Sequence, residues 1–531
     1  MLLTLIVFLP ALFALIVLVW PGRSAGAVKL VAAAGSLLVF ALSLWLYVGL
    51  LAQGQSFGDV LHPAWFYSHG WINTYIGSFH FQVNYALGTD GLSMPMIILN
   101  GLLTFLAVVG SWHIEKSPKF YMAMLLFLET GVMGVFASFD LFLFILFWEV
   151  ELIPMFLLIG IWGGQRREYA AWKFLIYTLV GSSITLAGIF MIYVQTGEHN
   201  ATYQYYAGVG PQIIGNLALF GATVSLPIVL FLLLFAGFAV KIPMWPVHTW
   251  LPDAHTEAPT AVSVLLAGVL LKMGAYGLIR ICLGFVPHGA TDFAPVLGIF
   301  AAINVLWGAG ASMVQKDMKK MIAYSSVSHM GYVLLGVAAA AAVASARVTN
   351  TAASLASFRQ AALTGATLQM FTHGAITGML FFGVGVLYDK AHTRDIDIFG
   401  GIAARMPREI TLYSIACFAS LGLPALAGFV AEYLVFTGSY ATLPVPTILC
   451  VFGVVLTAGY LLWMLRRAFY GPLNLRWSSL TDINSFSQFL PLACLAVVIF
   501  FIGVYPKLIV DVITPSVSQM IGTMQTVLTL H

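Results

Sequence analysis

A chain of 531 residues that is 60% hydrophobic and only 8% charged, with a mean hydropathy of +0.96, is not a soluble globular domain, in which about a quarter of residues are charged. Its net charge of +3 is scattered through the sequence without a basic stripe, which excludes nucleic-acid binding. Cys282, Cys417, Cys450 and Cys494 each stand alone in apolar sequence, which excludes iron–sulfur, zinc and paired-thiol sites. What remains is an all-α polytopic membrane protein with the lipid bilayer as its solvent.

Apolar runs follow one another at 2–20, 28–52, 92–112, 120–138, 141–162, 172–194, 226–240, 261–285, 293–311, 322–343, 363–387, 410–436, 446–465 and 489–504. At roughly 20 residues per crossing this predicts about 14 transmembrane helices. The first run has no basic segment before it, so it reads as a retained helix and not a cleaved signal. The stretch 53–91, rich in Trp, Tyr and His, reads as an interfacial cover.

Basic residues fall in alternate loops: Arg23 and Lys29, Lys116 and Lys119, Arg166 and Arg167, then Lys316, Lys319 and Lys320, then Lys390, Arg394, Arg405 and Arg408, then Arg466 and Arg467. The positive-inside rule makes those loops cytoplasmic and puts both termini outside; Arg347 and Arg359 are exceptions in one outer loop. The expected setting is the inner (cell) membrane of a bacterium or an equivalent energy-transducing membrane.

Charges in the middle of apolar helices carry the functional signal, because intramembrane ionisable groups are expensive and functional by default. Glu149 lies in LFLFILFWEVELIPMFLL, Lys272 in LLAGVLLKMGAYGLIR and Glu432 in LAGFVAEYLVF. Lys241 ends a hydrophobic helix in AGFAVKIPMWPVHTWLPDAHTEAP, where Pro243 and Pro246 remove backbone donors. Broken backbone at membrane depth survives only where protein or water surrounds it, so this stretch, His248 included, is expected to line a hydrated interior. Two further helices carry polar stripes at helical spacing, Tyr324, Ser325, Ser328 and His329 on one and Gln369, Thr372, His373 and Thr377 on the other.

Glu151 points roughly 200° away from Glu149 on the same helix, so both cannot line one path; Glu149 is taken as the partner of Lys241. Glu129, Asp140 and Arg280 lie nearer span ends, where a solvated or interfacial role is expected. His248, Asp253 and His255 match no standard metal spacing, and no metal site is expected. Ala236-Gly237-Phe238 before Lys241 is echoed by Ala427-Gly428-Phe429 before Glu432, which suggests duplicated helix groups with Lys241 and Glu432 in equivalent places.

The runs TDGLS, DLFLFILFWEVELIPM, GFAVKIPMWPVHTWLPDAHTEAPT, LLAGVLLKMGAYGLIR, DMKKMIAYSSVSHMGY and LPALAGFVAEYL resemble the antiporter-like membrane subunits of proton-pumping NADH:quinone oxidoreductase, respiratory complex I, of the chain M (mitochondrial subunit 4) type. The resemblance implies two inverted five-helix repeats with broken helices, each forming a proton half-channel. It divides the chain into N-terminal helices and loop (1–112), a first repeat (113–287), a second repeat (288–470) and a C-terminal helix and tail (471–531). It also implies a Glu–Lys pair at Glu149 and Lys241, a central lysine at Lys272 and an exit residue at Glu432; the polar stripes add His329 and His373 to the expected path, with Tyr324, Ser325, Ser328, Gln369, Thr377 and His248 in secondary roles.

No G-x-G-x-x-G in a strand–helix setting and no cysteine cluster is present, so no cofactor is expected on this chain. NAD, FMN, iron–sulfur clusters and quinone would belong to partner chains, and the expected partners are the antiporter-like chains L and N and the peripheral arm of complex I. A cation/proton antiporter subunit or an autonomous secondary transporter is the alternative that would use the same charges.

Overall fold

In hydrocarbon each backbone N–H and C=O must be bonded inside the protein, and the apolar runs satisfy this as helices. The computed structural model describes all residues except 23, 55, 77–78, 197–199, 220–221, 343–351 and 530–531, so Arg23 and Arg347 of the loop-charge pattern lie outside the described residues.

The chain opens with α1 (Leu2–Val19), α2 (Ala25–Ala52), α3 (Ser93–Gly110) and α4 (Pro118–Ala137). One span follows as α5 (Leu141–Val150) and α6 (Leu152–Trp162), and then come α7 (Arg167–Gln195) and the short α8 (Tyr203–Val209). The stretch from Leu226 to Glu257 is split into α9 (Leu226–Lys241) and α10 (Trp250–Glu257). The next span contains α11 (Thr260–Leu265) and α12 (Leu271–Gly277), with π-turns at Leu266–Leu270 and Leu278–Leu283. Long helices α13 (Pro287–Met313), α14 (Met318–Ala341) and α15 (Ala352–Ala391) come before a second split helix, α16 (Pro407–Ser420) and α17 (Ala427–Tyr440). The chain ends with α18 (Pro444–Met464), α19 (Phe486–Val504) and α20 (Lys507–Thr529). Among the described residues twelve spans are long and apolar enough to cross a membrane; with the two split helices they give about the expected fourteen.

Two readings change. The cover over 53–91 contains an antiparallel hairpin, β1 (Ala64–Ile76) and β2 (Phe79–Thr89), with a register shift between Gly70 and Ile72; aromatic residues favour the pleated, half-buried surface of a hairpin. A smaller hairpin joins β3 (Asn216–Leu219) to β4 (Ala222–Ser225). The echo around Lys241 and Glu432 is not a structural equivalence, since Lys241 ends the helix before its break and Glu432 lies in the helix after its break. Short apolar matches recur by chance in a chain this hydrophobic.

The basic loops gather on one face. Lys116 donates to the Ile161 carbonyl, Arg394 to that of Thr256, and Arg467 pairs with Asp397 at 3.0 Å. The β1–β2 hairpin packs on the other face, where Phe139 N–H bonds the Ala86 carbonyl and Ser516 of α20 accepts from Gly91 and donates to Gly58.

The middle stretches of the spans Thr260–Leu283 and Ser354–Ala391 are buried throughout, whereas most of the corresponding stretch of Phe486–Val504 is not, so α11, α12 and α15 form the centre and α19 lies at the periphery. Helices in a bilayer approach through small residues. A Cβ on Gly374 would lie 2.6 Å from the Gly268 carbonyl oxygen, and one on Gly237 would lie 2.8 Å from that of Gly181. The first of these crossings holds the centre of the site.

Candidate functional site

The site is built on the two breaks and the helix between them. At the first break Pro243 and Pro246 cannot donate, and the freed groups find partners inside the protein: Trp245 N–H donates to Asn304 Oδ1 at 2.6 Å, Asn304 Nδ2 donates to the Val327 carbonyl, and Trp250 Nε1 bonds the Val240 carbonyl at 3.0 Å. Lys241, at the end of α9, is buried between the rings of Trp148 and Phe174, 5.3 and 5.5 Å from their centroids, a setting that favours a cation. Gly274 lets α12 press against it, since a Cβ there would meet Ile242 N and Lys241 Cβ at 2.9 Å.

The carboxylate that pairs with Lys241 is Glu151. This corrects the expected Glu149–Lys241 contact. The helix stops at Val150 and restarts at Leu152, because Pro154 offers no N–H to the Val150 carbonyl. Gly131 of α4 lets the break pack closely, a Cβ there lying 3.0 Å from Glu151 N. Glu151 therefore turns inward and is fully buried, and Glu149 is left partly exposed on the flank.

Lys272 sits at the centre, fully buried. Its ammonium donates to the Ala267 carbonyl, five residues back in the π-turn, and contacts His373 Nδ1 at 2.7 Å. The Gly268–Gly374 crossing produces that contact, as each glycine neighbours one partner on its helix. The ring of His373 lies 5.6 Å from that of His329. His329 in turn reaches Glu432 Oε1 through Nδ1 at 3.4 Å and Ser420 Oγ through Nε2 at 3.1 Å. Here the second break contributes: Gly422, with φ +77°, brings the backbone so near that a Cβ would be 2.9 Å from Glu432 Oε2. Lys272, His373, His329 and Glu432 thus form one buried series.

The secondary residues are placed less uniformly. Tyr324 stands beside His248, whose Nε2 accepts from Trp307 Nε1 at 3.2 Å. Ser328 donates to the Val305 carbonyl, Thr377 back-bonds to His373, and Thr372 donates to Gln369. Ser325 is buried on the side of α14 near Tyr460. Only the two histidines of these stripes belong to the series.

The description NADH:quinone oxidoreductase/Mrp antiporter, transmembrane, fits residues 138–457, and that of NADH-ubiquinone oxidoreductase chain 4, amino terminus, fits residues 60–134. The chain belongs to this family. NADH-quinone oxidoreductase subunit M of Rhodobacter capsulatus is 38% identical over 98% of this chain and 96% of its own length; NAD(P)H-quinone oxidoreductase chain 4-1 of Synechocystis is also 38% identical, over 98% and 93%. A chain of respiratory complex I from Thermus thermophilus with bound NADH superposes with TM-score 0.80 at 25% identity, covering 98% of this chain and 100% of that one. A chain of the Mrp complex from Dietzia shares the fold, with TM-score 0.78 at 20% identity over 99% of each.

Within this family frame, sequence reasoning passed over several buried groups. Arg280 is fully buried and paired with Asp90, with Phe139, Tyr203 and Tyr276 around its guanidinium. Asp140 is buried too, capping α5 by accepting from Phe142 and Leu143, and Glu129 is buried with neither oxygen partnered among the described residues. The expected solvated roles fail because the β1–β2 hairpin and the segment after it cover Asp140 and Arg280, and because Glu129 lies in the middle of α4, not near its end.

On the basic face a cavity of about 420 Å³ is lined by His113, Glu257, Lys319, Asp389 and Arg394. Lys319 donates to the Ala258 carbonyl. Beside it His255 is fully buried and stacked on Phe381 at 4.6 Å, with both ring nitrogens unpartnered among the described residues. The proline-rich loop hid His255, and the loop-charge count absorbed Lys319.

Proposed function

We propose that this chain is a proton-translocating membrane-arm subunit of NADH:quinone oxidoreductase, coupling quinone reduction on other chains to proton movement through its own buried side chains. One observation carries the reading: Lys272, His373, His329 and Glu432 form a series of titratable groups through the centre of a membrane protein, with Lys241 on the adjoining helix. Ionisable groups inside a membrane are functional by default, and a separation near 5.6 Å between the ring centres of the imidazoles suits a bridging water.

In this reading Lys241 passes the coupling signal to Lys272, and protons leave through Glu432. The cavity with Lys319 and His255 supplies protons to Lys272. Glu149 faces a partner subunit, because a lipid-facing carboxylate at this depth costs about 2.5 to 3.5 kcal/mol. Tyr324, Ser325, Ser328, Gln369, Thr377 and His248 support the walls.

Residues 113–287 and 288–470 are the two half-channel repeats. The partners are the antiporter-like chains L and N and the peripheral arm, where NAD, FMN, iron–sulfur clusters and quinone reside. The basic face is cytoplasmic by the positive-inside rule, with both termini on the outer side of a bacterial inner membrane.

The test is Lys241→Ala in the whole complex. Assembly and quinone reduction by the purified complex should persist while protons pumped per electron fall; pumping equal to wild type would defeat the reading. Isolation of the chain in a cofactor-free antiporter complex would defeat the assignment to the oxidoreductase.

A further inference from the structure

Glu149 and Glu151 flank the break between α5 and α6 in opposite surroundings. Glu151 is fully buried; its Oε1 holds Lys241, and its Oε2 is buried with no partner among the described residues. Glu149 is partly exposed on the flank shared with Leu146 (40% exposed), Val150 (38%) and Ile153 (65%). Among the described residues Lys241 is paired with Glu151, and no cation of this chain is paired with Glu149. A step of two residues turns a helix by about 200°, so one span presents one carboxylate outward and the other inward. The two carboxylates stand two residues apart, and like charges this close repel with little screening away from water.

We propose that Glu151 is a second titrating carboxylate of the path, standing between Glu149 on the subunit flank and Lys241 inside, so that a change of charge at Glu149 reaches Lys241 through Glu151. The inference rests on the proton-path reading above and assigns the group that controls Lys241. The step is one proton: an N–H bond of the Lys241 ammonium breaks and an O–H bond forms at Glu151 Oε1, leaving neutral amine and neutral acid, and the reverse restores the ion pair. Negative charge at Glu149 disfavours the Glu151 anion and drives the proton forward; neutralising Glu149 restores the ion pair. The unpartnered Oε2 leaves the carboxyl able to accept a second donor in either state.

The test is a double-mutant cycle in the intact complex reconstituted in vesicles, reading protons pumped per electron and assembly on native gels. Glu151→Gln should lower pumping about threefold or more, with Glu151→Asp recovering most of it, since a carboxylate and not mere bulk is needed. Glu149→Gln should lower pumping alone yet add nothing in the Glu151→Gln background. Wild-type pumping by Glu151→Gln beside reduced pumping by Lys241→Ala overturns this inference and spares the path. Full additivity of Glu149→Gln and Glu151→Gln also overturns it. Wild-type pumping by Lys241→Ala instead overturns the path itself.

If Glu151→Gln fails to assemble, Lys241→Gln is compared with Lys241→Gln/Glu151→Gln. Removing both charges should restore assembly relative to Lys241→Gln alone, because a lone buried carboxylate is worse than none; lower assembly of the double variant overturns the pairing.

Discussion

The two broken helices solve the same backbone problem and present opposite charges. At the first, prolines end α9 at a lysine held by a carboxylate and two aromatic faces. At the second, a glycine with positive φ lets the chain fold against a glutamate held by an imidazole. The first break keeps an ion pair whose strength a neighbour can alter, and the second keeps an acid beside a base that can deliver a proton to it. Between them Lys272 has no carboxylate partner among the described residues, only a carbonyl and a histidine. In the path proposed above, the two breaks would serve control and release, and Lys272 would link them.

The largest expected effect attacks the release end. Glu432→Ala removes the acceptor facing His329 and should lower pumping by about tenfold in a reconstituted complex, whereas Glu432→Lys leaves a titratable group and should keep part of the activity. Equal, undiminished pumping in both would put the outlet elsewhere and dissolve the contrast between the breaks.

Gly374→Ala probes the middle. The added methyl would press on the Gly268 carbonyl, part α15 from the Lys272 helix and lengthen the Lys272–His373 contact, at a cost of about 1 to 3 kcal/mol. Thermal melting of the complex and pumping should fall together; a loss of stability with unchanged pumping would separate that contact from function.

Asn304→Ala probes the first break alone. It leaves the partly buried Trp245 N–H without its acceptor, which costs about 1 kcal/mol. The melting temperature should drop, with a smaller loss of pumping, and an unchanged melt would mean another group takes over the N–H.

Ser420→Ala is the mildest. It removes a hydroxyl from His329 Nε2, a contact of about 0.5 to 1.5 kcal/mol, and should slow pumping slightly without altering assembly; a loss as large as that of Glu432→Ala would move the release point to Ser420.

Hydrophobicity alone predicted the number of crossings, because a helix is the form in which a lone apolar run satisfies its backbone in lipid. The β1–β2 hairpin was not predicted: its aromatic residues also suit a membrane interface, and strand pairing depends on a partner that one segment does not reveal. Lys241, Lys272 and Glu432 were visible as charges where charge is costly. The choice between Glu149 and Glu151 was not, since every residue around them is apolar and periodicity cannot say which face of such a helix turns inward. That orientation comes from Gly131 on another helix and from Pro154 breaking the span. Lys319 and His255 were obscured because a loop lysine and a histidine among prolines look the same whether solvated or buried.

The partly exposed carboxylate of Glu149 bears on the life of the chain before assembly. A copy inserted alone would turn that group toward acyl chains and be less stable than a copy docked to its neighbour. Differences of this size change steady-state abundance severalfold once proteases act on the less stable form. Unassembled copies would therefore be cleared preferentially, and the same glutamate would keep the amount of this subunit matched to that of its neighbours.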